Sequence, residues 1–125
     1  ATDISLRSLL GRGEVPASVC IATCCHHRCE AASYVNCPFL HRLGLCQTVK
    51  GFTQFAAITG WAVGGRCHVD DVERRRVGMM AKRILDLGRV AWARETLGLP
   101  DASLSQYVDK EVTPENIAIT SGFIR

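Results

Sequence analysis

A continuous apolar run that ends directly in a cluster of reactive side chains is the feature that most constrains this sequence. The run covers residues 19–23, and residues 24–29 then read Cys-Cys-His-His-Arg-Cys. An unbroken apolar run is typical of a strand that is covered on both faces, as in a parallel sheet. Ligands of open α/β sheets bind where such strands end. We therefore predict an α/β fold with a buried strand over residues 19–24 and a reaction centre at its exit.

Length and composition indicate one soluble globular domain. The chain has 125 residues, of which 47% are hydrophobic and 22% are charged. Its formal charge of +3 permits an anionic partner without demanding one. No signal peptide is visible, and no apolar run approaches the roughly 18 residues of a membrane span. We expect a cytoplasmic or nuclear chain, not secreted and not bound to a membrane, whose seven cysteines are reduced.

Two helices are predicted on either side of a long irregular stretch. Thr2 or Asp3 can cap a first helix that ends near residue 10. A second helix is predicted over residues 70–97, with acidic residues at its positive end. Many glycines punctuate residues 26–69, so we interpret this stretch as a long functional loop with short helical pieces.

The chain closes with two predicted strands, over residues 103–108 and 116–124. The element order predicts the C-terminal part of an α/β sheet with a long inserted loop and a closing β-hairpin. The opening residues, Ala-Thr-Asp-Ile, read like the middle of a motif. We therefore expect residues 1–125 to be one part of a longer domain.

The long helix carries a periodic apolar pattern that predicts its buried face. The stripe has a spacing of three and four residues and consists of Val77, Met80, Ala81, Ile84, Leu87 and Ala91. Gly78 and Gly88 each cost about 1 kcal/mol relative to Ala in a helix interior. Their presence predicts a close approach to a neighbouring element.

Four stretches together resemble a known family. They are Ala-Thr-Asp-Ile-Ser-Leu-Arg at residues 1–7, the strand exit at residues 21–29, Trp61-Ala62 followed by Gly64, and Ile-Leu-Asp-Leu-Gly-Arg at residues 84–89 with Pro-Glu-Asn at residues 114–116. The chain resembles the catalytic domain of eukaryotic tRNA 2′-O-methyltransferases that modify the ribose at acceptor-stem position four. The resemblance implies the C-terminal part of a class I, Rossmann-like methyltransferase that uses S-adenosylmethionine. The family's Gly-rich cofactor turn and zinc-finger segments would lie upstream.

The implied reaction suggests roles for the residues at the strand exit. Methyl transfer to a ribose hydroxyl is an in-line displacement that depends on alignment and is helped by a general base. His26 and His27 are candidates for that base because imidazole titrates near neutrality, and Asp3 is a third candidate. We expect the cofactor to be bound by Thr2, Asp3, Cys24 and Cys25. We expect tRNA phosphates to be bound by Arg28, Arg75 and Arg76.

Other interpretations of the Cys/His cluster remain open. In a non-catalytic zinc or RNA-binding module, Cys25 and Cys29 could ligate zinc together with Cys67 and His68. Adjacent residues rarely ligate together and the chain has no Cys-x-x-Cys pair, so we expect no metal ion here. Cys25 beside His27 could instead be a nucleophile. A related methyltransferase that acts on a different acceptor is a further alternative.

Overall fold

The computed structural model describes residues 1–63 and 71–122. Gly64, Cys67 and His68 lie outside these ranges, as do the first residue of the predicted long helix and the end of the last predicted strand. The described elements are α1 (Thr2–Arg7), β1 (Val19–Ala22), a first 3₁₀ helix (His26–Arg28), α2 (Cys37–Arg42), α3 (Val49–Thr59), a second 3₁₀ helix (Gly60–Val63), α4 (Val72–Thr96), β2 (Ser103–Gln106) and β3 (Ile117–Ser121).

The strands form a three-stranded antiparallel sheet in the order β1-β3-β2. Ile119 in the central strand faces Ile21 on one side and Leu104 on the other. The α/β class and the closing hairpin of β2 and β3 are confirmed. The parallel arrangement predicted for the first strand is wrong for the described strands, because β1 pairs antiparallel with β3.

Only one face of β1 is covered by the described residues. Val19 is buried and Ile21 is half-buried, whereas Cys20 and Ala22 are exposed. The predicted burial of both faces is therefore wrong within the described ranges. A single layer, built mainly by α1 and α4, packs on the sheet. It shares with the sheet a core of Leu6, Val19, Val90, Ala93, Leu97, Leu99, Ala102 and Ile119.

The long helix forms almost where it was predicted. Asp71 caps it by accepting a hydrogen bond from the Arg74 N–H at 3.0 Å, and Gly98 follows its end with a φ of +67°. The predicted buried face is largely wrong, because Val77, Met80 and Leu87 are 37–54% exposed. The face that points inward consists of Gly78, Ala81, Lys82, Leu85, Asp86, Gly88, Arg89, Val90 and Ala93. Charged residues that pair inside the protein replace part of the expected apolar stripe.

The two glycines of α4 lie where neighbouring elements come close, as predicted. A Cβ on Gly78 would stand 2.5 Å from the backbone nitrogen of Ala62. A Cβ on Gly88 would overlap the hydroxyl of Tyr34 and stand 2.9 Å from Phe39 Cδ1. Both positions exclude a larger side chain because another segment already occupies the space.

Residues 26–63 are more helical than the predicted loop. The 11-residue helix α3 begins after Thr48, whose Oγ1 accepts a hydrogen bond from the Gly51 N–H at 3.0 Å. Asn36 caps α2 in the same way. Both helices are held against α4 by a second core of Tyr34, Leu40, Phe52, Ala56 and Leu85. Apolar packing against α4 therefore orders a stretch in which glycines suggested a loop.

The predicted cap of α1 is also wrong. Its N-cap is Ala1, and no side chain caps it. Thr2 Oγ1 instead accepts a hydrogen bond from the Cys24 N–H at 3.3 Å, and Asp3 turns into the protein. No helix within the described ranges is both long enough and apolar enough to cross a membrane.

Candidate functional site

A cavity of about 260 Å³ opens between the start of α1 and the exit of β1. All four predicted cofactor-binding residues line it, namely Thr2, Asp3, Cys24 and Cys25. Arg28, predicted to bind substrate, lines it as well. The fold therefore brings together two segments that lie about twenty residues apart in the sequence. The described lining is completed by Ala1, Ile4, Cys29, Ser33 and Arg89.

Cys25 sets the sharp turn that shapes one wall of this cavity. Its φ of 51° and ψ of 37° place it in the left-handed region, which a non-glycine residue rarely adopts. Cys25 caps the first 3₁₀ helix and is exposed, while the preceding Cys24 is half-buried. The turn sends the two adjacent histidines in different directions.

His26 points into the protein and is only 1% exposed. Its Nε2 donates to Asp86 Oδ1 at 2.8 Å, and its Nδ1 lies 3.7 Å from Glu115 Oε2. Nδ1 has no hydrogen-bond partner among the described residues. Lys82 Nζ forms an ion pair with the same Glu115 Oε2 at 3.1 Å. His26 thus connects the strand exit to α4 and to the turn before β3.

His27, in contrast, is exposed, as is Arg28. The described lining of the cavity includes Arg28 but not His27. The side chain of His27 starts close to the end of α3, because a Cβ on Gly60 would lie 3.7 Å from His27 Cβ. Of the predicted bases, His27 is the one that solvent reaches freely.

Asp3 is 5% exposed, and Arg89 holds its carboxylate. Arg89 Nε donates to Asp3 Oδ1 at 3.1 Å, and Arg89 Nη2 donates to Oδ2 at 2.6 Å. The Val35 N–H also donates to Oδ1, and the Cys29 thiol donates to Oδ2. Both carboxylate oxygens are therefore engaged by neighbouring groups.

Asp86 completes the buried charge network. Its Oδ1 also accepts a hydrogen bond from Arg89 Nη1 at 2.9 Å, and its Oδ2 accepts one from the Thr23 hydroxyl at 3.2 Å. Burial acts to raise the pKa of Asp86, but the hydrogen bond and charge of His26, followed by those of Arg89, outweigh burial and lower it. Asp86 therefore remains an anion at neutral pH.

Two of the thiols that line the cavity, Cys24 and Cys29, are poor nucleophiles at neutral pH. Burial, followed by the charge of Asp3, raises the pKa of Cys29 to about 12. Burial and then the neighbouring Cys25 raise the pKa of Cys24. A thiolate is the reactive form, so these two residues are expected to react slowly.

The other two predicted substrate residues lie away from the cavity. Arg75 and Arg76 are exposed near the beginning of α4, and Arg76 pairs with Glu73 at 3.6 Å. The adjacent Arg74 stacks over the Trp61 ring, 4.6 Å from its centroid. The described lining of the cavity includes neither Arg75 nor Arg76.

The proposed zinc ligands can be placed only in part. Cys67 and His68 lie outside the described residues. Within the described ranges, no group of three or more His, Cys, Asp or Glu side chains is arranged to hold a metal ion.

Sequence reasoning missed Arg89 and Asp86 as site residues. Arg89 is 1% exposed and lines the cavity, although it lies outside the apolar stripe that was predicted to be the buried face of the long helix. The available signal was the i,i+3 spacing of Asp86 and Arg89 around Gly88, in the stretch that carries the family resemblance.

Comparison with known proteins supports that resemblance. The sequence model of the family described as methyltransferase TRM13 matches residues 1–74 and 66–122. The chain belongs to the TRM13 methyltransferase family. No solved structure gives a significant match to it.

Three fungal relatives of this TRM13 family member illustrate the similarity. All three are named tRNA:m(4)X modification enzyme TRM13, and the matches cover 95% of the chain. The identity is 32% for the protein of Vanderwaltozyma polyspora, 28% for that of Saccharomyces cerevisiae and 33% for that of Eremothecium gossypii. The chain spans about a third of the length of these relatives.

Proposed function

We propose that the chain is the C-terminal part of a tRNA methyltransferase domain that modifies a ribose 2′-hydroxyl at position four of the acceptor stem, with S-adenosylmethionine as methyl donor. One observation carries the proposal. In a member of the TRM13 family, the residues expected at the donor converge on one cavity with an arginine beside them. The curated relatives are named as tRNA modification enzymes, which supports tRNA as the substrate.

The residues that line the cavity fit one part of the donor. Its volume of about 260 Å³ is slightly below the range of roughly 300–1,000 Å³ that is usual for small-molecule sites. The hydroxyl of Thr2 and the polarizable sulfurs of Cys24 and Cys25 would contact the donor there. S-adenosylmethionine, when bound, supplies a methyl group on a positively charged sulfur. The rest of the donor site would come from the remainder of the same domain.

We assign the general base to His27. A base must exchange its proton with a substrate hydroxyl and therefore must be reachable. His27 is exposed and directly precedes Arg28, which lines the cavity, whereas His26 is buried against Asp86 and both oxygens of Asp3 are engaged. His26 would position the strand exit, and Asp3 would form a fixed wall of the cavity. The base draws the proton from the ribose hydroxyl as the oxygen attacks.

The arginines would bind the tRNA backbone. Arg28 lines the cavity and would contact a phosphate next to the target ribose. Arg75 and Arg76 are exposed on α4 and would contact phosphates farther along the stem. These contacts would orient the stem without reading its sequence.

The fold and the setting of the enzyme are part of the proposal. We propose that the described sheet is one end of a Rossmann-like methyltransferase sheet, to which the remainder of the domain adds strands along β1. Within the described residues, β1 pairs only with β3, so its other edge has no strand beside it. An unpaired edge of this kind is usually covered by another segment. We propose a cytoplasmic or nuclear location, as expected for an enzyme that acts on tRNA.

Methyl transfer by the natural full-length protein tests the proposal. The protein is incubated with tRNA and S-adenosylmethionine that carries a labelled methyl group, and the digested nucleosides are identified by mass spectrometry. The expected product is a 2′-O-methylated nucleoside from position four of the acceptor stem. Methyl transfer to a base, or no transfer with a protein that binds both ligands, would contradict the proposal.

Replacing His27 and a second exposed histidine, His41, separates a base from a residue with no role in the reaction. His27→Ala is expected to lower kcat about 10²–10⁴-fold, as general-base loss usually does. His41→Ala is the matched control, because His41 is exposed on α2 and contacts the Cys46 carbonyl. Equal rates for the two variants would remove His27 from the mechanism.

A further inference from the structure

Arg89 joins the cavity to the interior of the protein. Its side chain contacts two carboxylates, with hydrogen bonds of 3.1 and 2.6 Å to Asp3 and one of 2.9 Å to Asp86. It also lies over the Tyr34 ring, 5.8 Å from the centroid. Arg89 is 1% exposed and Asp86 is 2% exposed, so water screens these charges little.

Such a network is an expensive way to stabilise a fold. Each buried ion loses its hydration, and replacing a buried ion pair with apolar side chains is often neutral or stabilising. The network here has good geometry, because the guanidinium binds Asp3 with two parallel hydrogen bonds. Because apolar side chains could stabilise the fold equally well, the place of this network in the structure points to a use other than stability.

That location is the wall of the cavity. Asp3 and Arg89 both line it, and Asp3 gathers three separate segments around itself. Asp3 belongs to α1, accepts a hydrogen bond from the thiol of Cys29 just after the first 3₁₀ helix, and accepts another from the Val35 N–H before α2. Loss of the guanidinium would release all three segments together.

We propose that Arg89 is a positioning residue, which clamps Asp3 to Asp86 and thereby fixes the shape of the donor cavity. The inference rests on the proposed function, since it assigns the cavity to the methyl donor. Arg89 acts through Asp3 and through the segments that Asp3 holds. The bidentate geometry is essential to this role, and lysine cannot reproduce it although it keeps the charge.

The test compares Arg89→Lys with Arg94→Lys in the natural full-length protein. Arg94 is on the same helix and donates to the Ala102 carbonyl, but the described lining of the cavity does not include it. For Arg89→Lys we expect the dissociation constant of S-adenosylhomocysteine, measured by calorimetry, to rise at least tenfold. We expect no such rise for Arg94→Lys, and circular dichroism should show both variants to be folded.

A second readout reports on the cavity without any ligand. The thiol of Cys29 contacts Asp3 and lies 3.7 Å from Arg89 Nη2. Its alkylation by iodoacetamide is expected to become at least tenfold faster in Arg89→Lys and to stay unchanged in Arg94→Lys. If Arg89→Lys does not fold, Asp86→Asn takes its place, because it removes the second carboxylate that Arg89 binds and the described lining of the cavity does not include it. The same directions of change are expected.

Unchanged affinity and unchanged alkylation in a folded variant would overturn the inference. A wild-type protein that binds no S-adenosylhomocysteine would contradict the proposed function instead, and the alkylation rates would still decide whether Arg89 holds the cavity together.

Discussion

The close approach of Tyr34 to Gly88 gives a prediction whose size follows from the structure. A Cβ at position 88 would overlap the Tyr34 hydroxyl. This hydroxyl donates a hydrogen bond to the Leu85 carbonyl at 2.9 Å, and Tyr34 is only 2% exposed. Gly88→Ala gains about 1 kcal/mol of helix propensity. It costs about 1–3 kcal/mol in overpacking and about 1–3 kcal/mol for the broken buried hydrogen bond.

We therefore expect Gly88→Ala to lower the free energy of unfolding by about 3 kcal/mol, measured by urea unfolding followed by circular dichroism. Gly51→Ala is the matched control, because its Cβ would stand 3.2 Å from the flexible Thr48 Oγ1 and nothing rigid is nearer. The control should change stability by less than about 1 kcal/mol.

A second substitution tests the stated cause. Tyr34→Phe removes the oxygen that Gly88→Ala would strike, and the new Cβ would then meet the ring carbon Cζ at 3.3 Å. The contact of 2.9 Å with Phe39 Cδ1 remains in this background, so Gly88→Ala should cost less there but should still be destabilising, a coupling expected of residues in contact. An equal cost in both backgrounds would refute the reasoning, since the loss would then not depend on the hydroxyl.

Three further predictions concern pH, capping and salt. The pKa of Asp86 is lowered in the folded protein, so the ionised carboxylate stabilises the fold at pH values above its unfolded pKa of about 3.9. This stabilisation disappears as the pH falls through the folded pKa. In Asp86→Asn, the free energy of unfolding in urea should therefore fall less steeply with decreasing pH than in the wild type. Thr48→Ala should cost about 1 kcal/mol in urea unfolding, because it removes the cap of α3, whereas the exposed Thr53→Ala in the same helix should cost less than about 0.5 kcal/mol. Arg75→Ala and Arg76→Ala should each reduce the slope of log affinity for tRNA against log salt by about one, and an unchanged slope would exclude a phosphate contact.

Secondary structure was predictable from the sequence where local chemistry decides it. Asp71 and Gly98 bound the long helix much as expected, and β2 and β3 pair as the predicted hairpin. Gly78 and Gly88 were correctly interpreted as points of close approach, because only contact with a neighbour explains a glycine inside a long helix. Caps and turns depend on residues that are close together in the sequence, and a single sequence is therefore enough to predict them.

The inward face of α4 was not predictable from apolar periodicity. Lys82, Asp86 and Arg89 are buried because partners from elsewhere in the chain neutralise them. The partner of Arg89 is Asp3, 86 positions away, and a periodicity analysis has no access to such a pairing. Met80 is therefore exposed on the outer face of α4, although the apolar periodicity predicted that it would be buried.

At the cavity, the sequence predicted which two segments come together but not the surroundings of each side chain. The adjacent His26 and His27 look equivalent in the sequence, and the left-handed turn at Cys25 then buries one and exposes the other. Asp3 seemed a candidate base until the structure revealed Arg89 against it. Proximity to a strand exit predicted residues that line the cavity, whereas their burial and hydrogen bonds depend on partners that are distant in the sequence.

The most direct test of the donor cavity uses Cys25 as a reporter. This thiol is exposed and lines the cavity, while Cys46 is half-buried before α3 and is not among the described lining residues. The rate of alkylation by iodoacetamide is measured for both thiols in the natural full-length protein, with and without saturating S-adenosylmethionine. We expect the donor to slow the reaction of Cys25 at least tenfold and to leave that of Cys46 unchanged. An unchanged rate at Cys25, with the donor shown to be bound, would place the donor elsewhere and contradict the account.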